Sequence, residues 1–191
     1  MSGTTPVYGL PYQTNDDPPD GPALGEDLAL AVESELQRID GDIADLSAAP
    51  GEAYQGANDT SAAGTYTSGT THGLSFTAPA SGRVEVTFSG WVGSSAVIAS
   101  TTTPRTYMSD HVRSGGVIGS GTDVLAADDD RAIPYFVANT TAGFKYIFGQ
   151  LTHLVTGLTP GNSYNVVTVF RENGGGASAA INKRRLVVKP A

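Results

Sequence analysis

Apolar and polar residues alternate over most of this chain, with the period of a β-strand that buries one face. The alternation begins near residue 72, and runs rich in Pro, Gly, Ser and Asn that favour turns divide it into short segments. No second helical pattern interrupts these segments. Eight or more short strands of this kind predict a mainly β protein whose residues 72–191 form an antiparallel β-sandwich, jelly-roll-like in its length. The clearest alternating sets are Leu74 and Phe76; Val84, Val86 and Phe88; Phe144, Tyr146 and Phe148; and Tyr164, Val166, Thr168 and Phe170.

Composition excludes several classes of protein. None of the 191 residues is Cys, which removes disulfides, thiolate metal ligands and cysteine nucleophiles. No apolar run approaches the roughly 20 residues that span a bilayer. The first residues also lack the basic start and hydrophobic stretch of a signal peptide. We therefore expect a soluble protein that does not insert into a membrane.

Charge is distributed unevenly along the chain. The first 50 residues hold ten acidic residues and one basic residue, a net charge of −9, whereas the remainder has nine acidic and ten basic residues, a net charge of +1. Neither part has the excess of cations that binding to nucleic-acid phosphates requires. We expect no nucleic-acid partner and two physically different parts of the chain.

Residues 1–25 are predicted to form an extended arm. The prolines in this segment disfavour helix, and the segment is too polar to bury its own aromatic residues. Two interpretations stay open, an attachment arm or a floppy terminus with incidental aromatic residues. In the first interpretation, apolar anchors and acidic groups contact another protein, through Tyr8, Leu10, Tyr12, Asp16, Asp17 and Asp20.

The next segment, 26–47, has the pattern of a short coiled-coil helix. Its apolar residues are spaced by 4, 3, 4 and 3 positions, which is a heptad seam. Leu at a and Ile at d favour three or more strands, so we expect a homotrimer. The alternative is an amphipathic helix that lies on its own domain. The seam consists of Val32, Leu36, Ile39, Ile43 and Leu46, and we predict that residues 48–71, rich in Gly, Ser and Thr, form a linker.

No catalytic motif of the hydrolase, metalloprotease or nucleotide-binding kinds is present, so we expect no enzyme activity, no catalytic residue and no cofactor. The histidines His72, His111 and His153 are far apart in the sequence, which favours separate, partly buried side chains over a metal site. The acidic run 128–130 lacks the spacing of a calcium loop and is predicted to be a solvated turn.

Two further features have alternative interpretations. Trp91 follows an alternating run, so it either belongs to the core or stacks on a sugar ring from the surface. The basic cluster Lys183, Arg184, Arg185 and Lys189 is predicted to be a solvated or interface edge rather than a polyanion site.

The first quarter of the chain resembles virion appendage proteins, the minor tail or fibre proteins of tailed phages that infect actinobacteria. The resemblance covers residues 6–46 and rests on YGLPY at 8–12, DPPDGP at 17–22 and the short helix that follows directly. In that family the arm attaches to the particle and the C-terminal part varies. The resemblance implies a virion location, assembly in the cytoplasm of a bacterial host, and other capsid or tail proteins as partners.

The C-terminal part has weaker resemblances. The segment 158–164, LTPGNSY, is similar to the tyrosine corner of fibronectin type III domains. The segment 76–84, FTAPASGRV, is similar to an early stretch of trimeric C1q-like and TNF-like jelly rolls. The expected function is a non-enzymatic homotrimeric virion protein, as a tail or baseplate appendage that touches the host surface. The alternatives are a decoration protein at a symmetry axis of the head, and a carbohydrate-binding module that binds a cell-surface glycan.

Overall fold

The computed structural model describes residues 3–4, 11–12, 21–47, 51–95, 106–136, 143–173 and 178–191. The chain divides into two compact units, Met1–Ser47 and Ala48–Ala191. The elements in chain order are β1 (Gly3–Thr4), β2 (Pro11–Tyr12), α1 (Gly21–Ser47), β3 (Gly51–Gln55), β4 (Asp59–Ser61), β5 (Gly73–Thr77), β6 (Val84–Ser94), β7 (Thr106–Ser114), β8 (Asp123–Leu125), a 3-10 turn (Asp129–Arg131), β9 (Ile133–Tyr135), β10 (Lys145–Val155), β11 (Ser163–Glu172) and β12 (Ala179–Pro190).

The first unit consists of the short antiparallel pair β1–β2 and the 27-residue helix α1. The helix begins at Gly21, five residues before the start predicted from the acidic residues at 26 and 27. Pro22 is compatible with this earlier start, because the first turn of a helix does not use the N–H that proline lacks. Residues 21–25 therefore belong to the helix and not to the predicted arm.

The second unit is an antiparallel sandwich of two five-stranded sheets, as the alternating pattern predicted. One sheet has the order β10-β6-β12-β3, with β4 also paired to β12, and the other has the order β5-β11-β7-β8, with β9 also paired to β7. Because β3 and β4 share one edge of β12, and β8 and β9 share one edge of β7, the sandwich has eight strand positions. Numbered along the chain, these positions have the orders 6-3-8-1 and 2-7-4-5, which is the jelly-roll topology rather than that of fibronectin type III.

The predicted linker at 48–71 requires a correction, because it contains β3 and β4. Both strands pair with β12, whose backbone groups on that edge need hydrogen-bond partners. A strand at the edge of a sheet has few large apolar residues to bury, so its composition resembles that of a linker. These two segments are strands because they pair with β12.

The inner faces of the two sheets form the core. The alternation predicted for β6 and β11 is confirmed, since Val84, Val86, Phe88, Val166 and Phe170 are all buried. In β10 the buried face is not the one that contains the predicted alternating set. Phe148, a member of that set, is exposed, while Ile147 and Leu151 on the other face pack against the core. Both faces of β10 have large apolar residues, so the sequence pattern does not identify the buried one.

Two predicted turns are confirmed by their hydrogen bonds. Gly82 N–H donates to the Pro79 carbonyl at 2.9 Å, and Asn162 N–H donates to the Thr159 carbonyl at 3.1 Å. The Tyr164 hydroxyl accepts from Thr159 N–H at 3.0 Å, so the predicted tyrosine corner is present within a jelly roll. The third predicted turn, at 173–176, lies mostly outside the described residues.

Gly82 is required by both its backbone angle and its surroundings. Its φ is +63°, and a Cβ atom would lie 2.5 Å from the Leu158 carbonyl oxygen. We expect Gly82→Ala to lower the free energy of unfolding by more than the roughly 1–2 kcal/mol that a left-handed backbone alone costs. Urea unfolding of the full chain measures the loss.

Gly157→Ala is the matched control for this prediction. Gly157 has a φ of +77° but no atom within 4 Å of its Cβ position, so this substitution adds backbone strain without a collision. Equal losses in the two variants would contradict the role assigned to the Leu158 contact.

Candidate functional site

The predicted attachment residues lie almost entirely outside the part of the chain that the structure describes. This applies to Tyr8, Leu10, Asp16, Asp17 and Asp20. The backbone of Tyr12 lies in β2, where it pairs with Gly3. The anchoring role of these residues stays a prediction.

The predicted seam of α1 is an exposed apolar stripe on the single chain. Val32, Leu36, Ile39 and Ile43 are 38–56% exposed. Leu46 lies in the same helix, and its side chain is outside the described residues. A helix of this length is marginally stable in water unless its apolar stripe packs against another surface. The stripe is therefore a candidate interface.

Polar groups of α1 lie beside this stripe and not within it. Arg38 and Glu35 form an ion pair at 2.7 Å one turn apart, at positions that flank the seam. Gly41 falls at an outer heptad position, where a missing side chain leaves no gap between packed helices. The seam is therefore continuous from Val32 to Ile43.

Trp91 lies on the surface and not in the core. It belongs to the face of the β10-β6-β12-β3 sheet that points away from the second sheet, which we call the outer sheet face. Its ring packs against that of Phe148, its partner across the strands, with centroids 5.9 Å apart and an angle of 65° between the planes. Four large apolar side chains on this face are at least 39% exposed, namely Tyr54, Trp91, Phe148 and Leu154.

The charged groups among these apolar residues are paired with one another. Arg185 contacts Glu52 at 2.8 Å, and Lys189 contacts Glu85 at 2.7 Å. The arginine holds the pKa of Glu52 below its ordinary value through this hydrogen bond. The outer sheet face is thus mixed: two ion pairs and the exposed Gln150 and Thr152 lie among its apolar side chains.

A row of polar side chains crosses the core, which we call the polar layer: the buried His72, Thr168 and Asp110, and the partly buried His153. The Nδ1 atom of His72 is 2.9 Å from the Thr168 hydroxyl, and Thr168 faces Asp110 on the neighbouring strand. His153 Nε2 lies 3.0 Å from Asp110 Oδ2, which joins the two sheets. His111 is outside this layer and contacts Asp123 at 2.7 Å. Sequence analysis missed the role of Asp110, since its position gives no signal.

Part of the predicted basic edge is buried, which corrects the expectation for Arg184. The strand register shifts between Asn182 and Arg185, and Lys183 takes a left-handed φ of +47° in this bulge. The bulge turns Arg184 into the interior, where it is completely buried and forms an ion pair with Asp59. Burial lowers the pKa of Arg184, whereas Asp59 acts in the opposite direction.

The acidic run 128–130 caps and anchors a turn. Asp128 accepts a hydrogen bond from the N–H of Asp130, and Asp129 pairs with Arg171, which lowers the pKa of Asp129. The Arg171 guanidinium also lies 4.7 Å from the centre of the Tyr107 ring. Asp128 and Asp130 are exposed, as expected for a solvated turn, and the partly exposed Asp129 also anchors the turn through Arg171.

One hollow of about 250 Å³ lies where β3, β5, β6 and β12 end. Its lining includes Phe76, Pro79, Val84 and Val188, and its one ionisable lining residue is Lys189, which pairs with Glu85. This lining offers no pair of acid and base groups for proton transfer.

Two kinds of feature are absent from the described part of the chain. No group of three or more His, Asp or Glu side chains is placed to hold a metal ion. Among the same residues, no helix has both the length and the apolar character needed to cross a bilayer.

Comparisons with known proteins identify no family. No protein-family model matches the chain, and no curated protein matches it. Among solved structures, the CBM22-1 xylan-binding domain of Paenibacillus barcinonensis Xyn10C aligns at a TM-score of 0.29 and 16% identity, over 74% of this chain and 87% of that domain. A structure of the infectious bursal disease virus Gx strain aligns at a TM-score of 0.31 and 11% identity, over 74% of this chain and 37% of that one. Likenesses this weak carry no argument about function.

The polar layer makes stability depend on pH. Burial lowers the pKa of His72 below its ordinary value of about 6.5, because the neutral ring is favoured in the core. The unfolded chain therefore binds a proton that the folded chain resists, and the free energy of unfolding falls as pH decreases below about 6.5, by up to about 1.4 kcal/mol per pH unit.

We expect His72→Asn, which keeps a polar atom near the Nδ1 position, to flatten this dependence between pH 7 and pH 5. Urea unfolding across that range measures it. His111→Asn is the control, because the partly buried His111 contacts Asp123 and Arg113 and lies outside the polar layer. A wild-type stability that does not decrease towards pH 5 would contradict the assignment.

Proposed function

We propose that this chain is a non-enzymatic structural protein of a phage virion, assembled as a homotrimer in the cytoplasm of the bacterial host. The β-sandwich is the projecting part, and the N-terminal arm attaches the trimer to other virion proteins. The observation that carries the self-assembly is the apolar heptad stripe of α1, which is exposed on the single chain.

The stripe supports a trimer through its residue types and its length. Leu36 and Ile43 occupy a positions, and Ile39 occupies a d position, a combination that disfavours a two-stranded coil. The helix has 27 residues and is about 40 Å long at about 1.5 Å per residue, which is enough for a short coiled coil once its stripe is covered. Each seam side chain contributes roughly 1.5–3 kcal/mol when it becomes fully buried.

Attachment to a particle rests on the resemblance of residues 6–46 to phage appendage proteins. The net charge of −9 in the first 50 residues supports a basic docking partner. A tail or baseplate appendage is the first candidate for the position, and decoration of the head at a symmetry axis is the alternative. A density map of the assembled particle distinguishes these positions.

The polar side chains inside the β-sandwich support a structural role, because they contact one another. His153 and Asp110 face each other in the core, and Asp110 is completely buried. Arg184 and Asp59 likewise neutralise each other away from solvent. The completely buried Asp110 and Arg184 are thus engaged in contacts within the fold, which supports a structural role.

Carbohydrate binding is the second candidate function. The exposure of Trp91 beside Phe148 favours it, because an aromatic ring on a sheet face can stack on a sugar. The same surface can instead be covered by protein. A screen of the protein against a panel of glycans distinguishes these two occupants.

The trimer is tested by placing a charge in the seam. We expect Leu36→Lys to convert the trimer to monomers at micromolar concentration, because three lysines would meet at the axis. Sedimentation velocity measures the mass. A wild-type protein that sediments as a monomer would refute the proposed assembly.

Gln37→Lys is the matched control for this charge. It introduces the same side chain one position along the helix, at an exposed residue outside the seam. We expect the mass of a trimer for this variant, together with an unchanged circular dichroism spectrum.

Attachment is tested by deleting residues 1–22. We expect this deletion to abolish incorporation into phage particles and to leave the thermal unfolding of the β-sandwich unchanged, because the arm contributes to attachment and not to the core. Western blotting of purified particles measures incorporation. Normal incorporation of the shortened chain would rule out the arm as the anchor.

A further inference from the structure

We propose that the free edge of β10 pairs with β10 of a second copy of this chain, in antiparallel orientation and centred on Gln150. The pairing joins two sheets of the order β10-β6-β12-β3 into one continuous sheet across a two-fold axis. This inference rests on the β unit alone and does not depend on the proposed trimer.

The length of β10 distinguishes it from the other described strands at a sheet edge. It has 11 residues, and among the described residues it pairs on one side only, with β6. The strands at the other three edges have three to five residues each, namely β3 with β4, β5, and β8 with β9. Because successive residues of an antiparallel strand direct their N–H and C=O groups to alternate sides, about half of β10 presents these groups to the free edge.

The features that protect a sheet edge from pairing are missing in β10. Proteins block free edges with charged side chains, prolines, bulges or very short strands. The one lysine, arginine, aspartate or glutamate of β10 is Lys145 at its first position, no residue is Pro, and the register with β6 is continuous over all eleven positions. By contrast, β3 contains Glu52, β8 contains Asp123 and β9 contains Pro134. An edge this long and unprotected pairs with another strand when one becomes available.

The sequence of β10 identifies an antiparallel copy of itself as the partner. When Gln150 faces its own equivalent, the flanking residues pair in order, from Gly149 with Leu151 out to Lys145 with Val155. Each residue then faces one that points to the same side of the sheet. The two lysines lie ten residues apart along the strand, or about 34 Å. A parallel pairing in the same register places the two lysines side by side, so charge favours the antiparallel arrangement.

The exposed side chains of β10 gain neighbours in this pairing. Leu154, which is 45% exposed, faces Tyr146 of the second copy. Phe148, which is 57% exposed, faces Thr152 of the second copy. Pairs of an aromatic residue with an aliphatic or β-branched one are among the cross-strand contacts that stabilise a sheet. The side chains of β10 are therefore compatible with the ladder that its backbone offers.

A single pair of strands is a small interface. It buries less than the roughly 1,200 Å² of total surface at the lower end of stable complexes. We therefore expect a dissociation constant of about 100 μM, so that copies pair only when they are concentrated. On a virion, neighbouring copies are held close together, which raises their effective concentration towards the millimolar range. Because a two-fold pairing leaves one copy of a trimer without a partner, β10 joins copies from different trimers.

The experiment is sedimentation equilibrium of the full-length Leu36→Lys protein, whose helix seam no longer holds copies together. We expect monomers at micromolar concentration and pairs of chains above about 100 μM. In this background Gln150→Lys places two lysines directly opposite each other at the two-fold axis, and the dissociation constant should rise about fivefold or more. Gln150→Glu should weaken the pairing in the same way, since two carboxylates then face each other.

An equal mixture of the Gln150→Lys and Gln150→Glu proteins is the decisive sample. We expect the mixture to recover the dissociation constant of the parent protein, because a lysine then faces a glutamate. This rescue requires that residue 150 of one copy meets residue 150 of the other. Val124→Lys is the matched control, since it adds the same charge to an exposed residue of β8, an edge strand of the other sheet, and should leave the constant unchanged.

Two outcomes would overturn the inference. One is a Leu36→Lys protein that stays monomeric at about 500 μM, well above the expected dissociation constant. The other is pairing that neither Gln150 variant weakens, which would place the contact elsewhere on the chain. If the Gln150 variants do not fold, hydrogen exchange of the parent protein decides. The amides of residues 145–155 should exchange more slowly at about 500 μM than at about 5 μM, and equal rates would contradict the pairing.

Discussion

Burial of the inner faces of two five-stranded sheets is the interaction on which the β unit depends. Phe88, Phe170 and Leu186 are completely buried in this core, together with the valines of β6 and β11. The polar layer crosses the same interior, so its groups must satisfy one another where water is excluded. Asp110 meets part of this requirement through His153, a partner on a strand distant in the sequence, whereas Asp110 Oδ1 and His72 Nε2 have no hydrogen-bond partner among the described residues. Arg184 pairs with Asp59 in the same way. The same burial makes the charge state of His72 part of the stability of the fold.

Folding of the single chain leaves two sets of large apolar side chains exposed. Within the described residues, the stripe of α1 and the outer sheet face both present large apolar side chains to solvent. The helix alone is marginal in water, and the sheet face has its charges neutralised in pairs. Both features suit surfaces that are covered on assembly, and neither belongs to a cleft with acid and base groups. The proposed trimer covers the stripe of α1.

Much of the architecture was predictable from local patterns. The alternation in β6 and β11, the turns at 79–82 and 159–162, and the tyrosine corner all depend on neighbouring residues, and the structure confirms them. The predicted linker failed for a different reason, since β3 and β4 become strands only through hydrogen bonds to β12, more than 100 residues later. For the candidate site, the sequence identified the helix seam and Trp91. It did not identify the apolar groups of β3 and β10 that lie on the same face as Trp91.

The sequence by itself determined the period of each segment, the absence of cysteine chemistry and the separation of a −9 segment from a near-neutral one, because these properties are local or additive. The tertiary structure decided which face of each strand is buried. Phe148 faces solvent because the opposite side of β10 packs on the core, and Arg184 faces inward because a bulge shifts the register of β12. Register is set by pairing between distant strands, and a shift of one residue moves a side chain from one face of a sheet to the other.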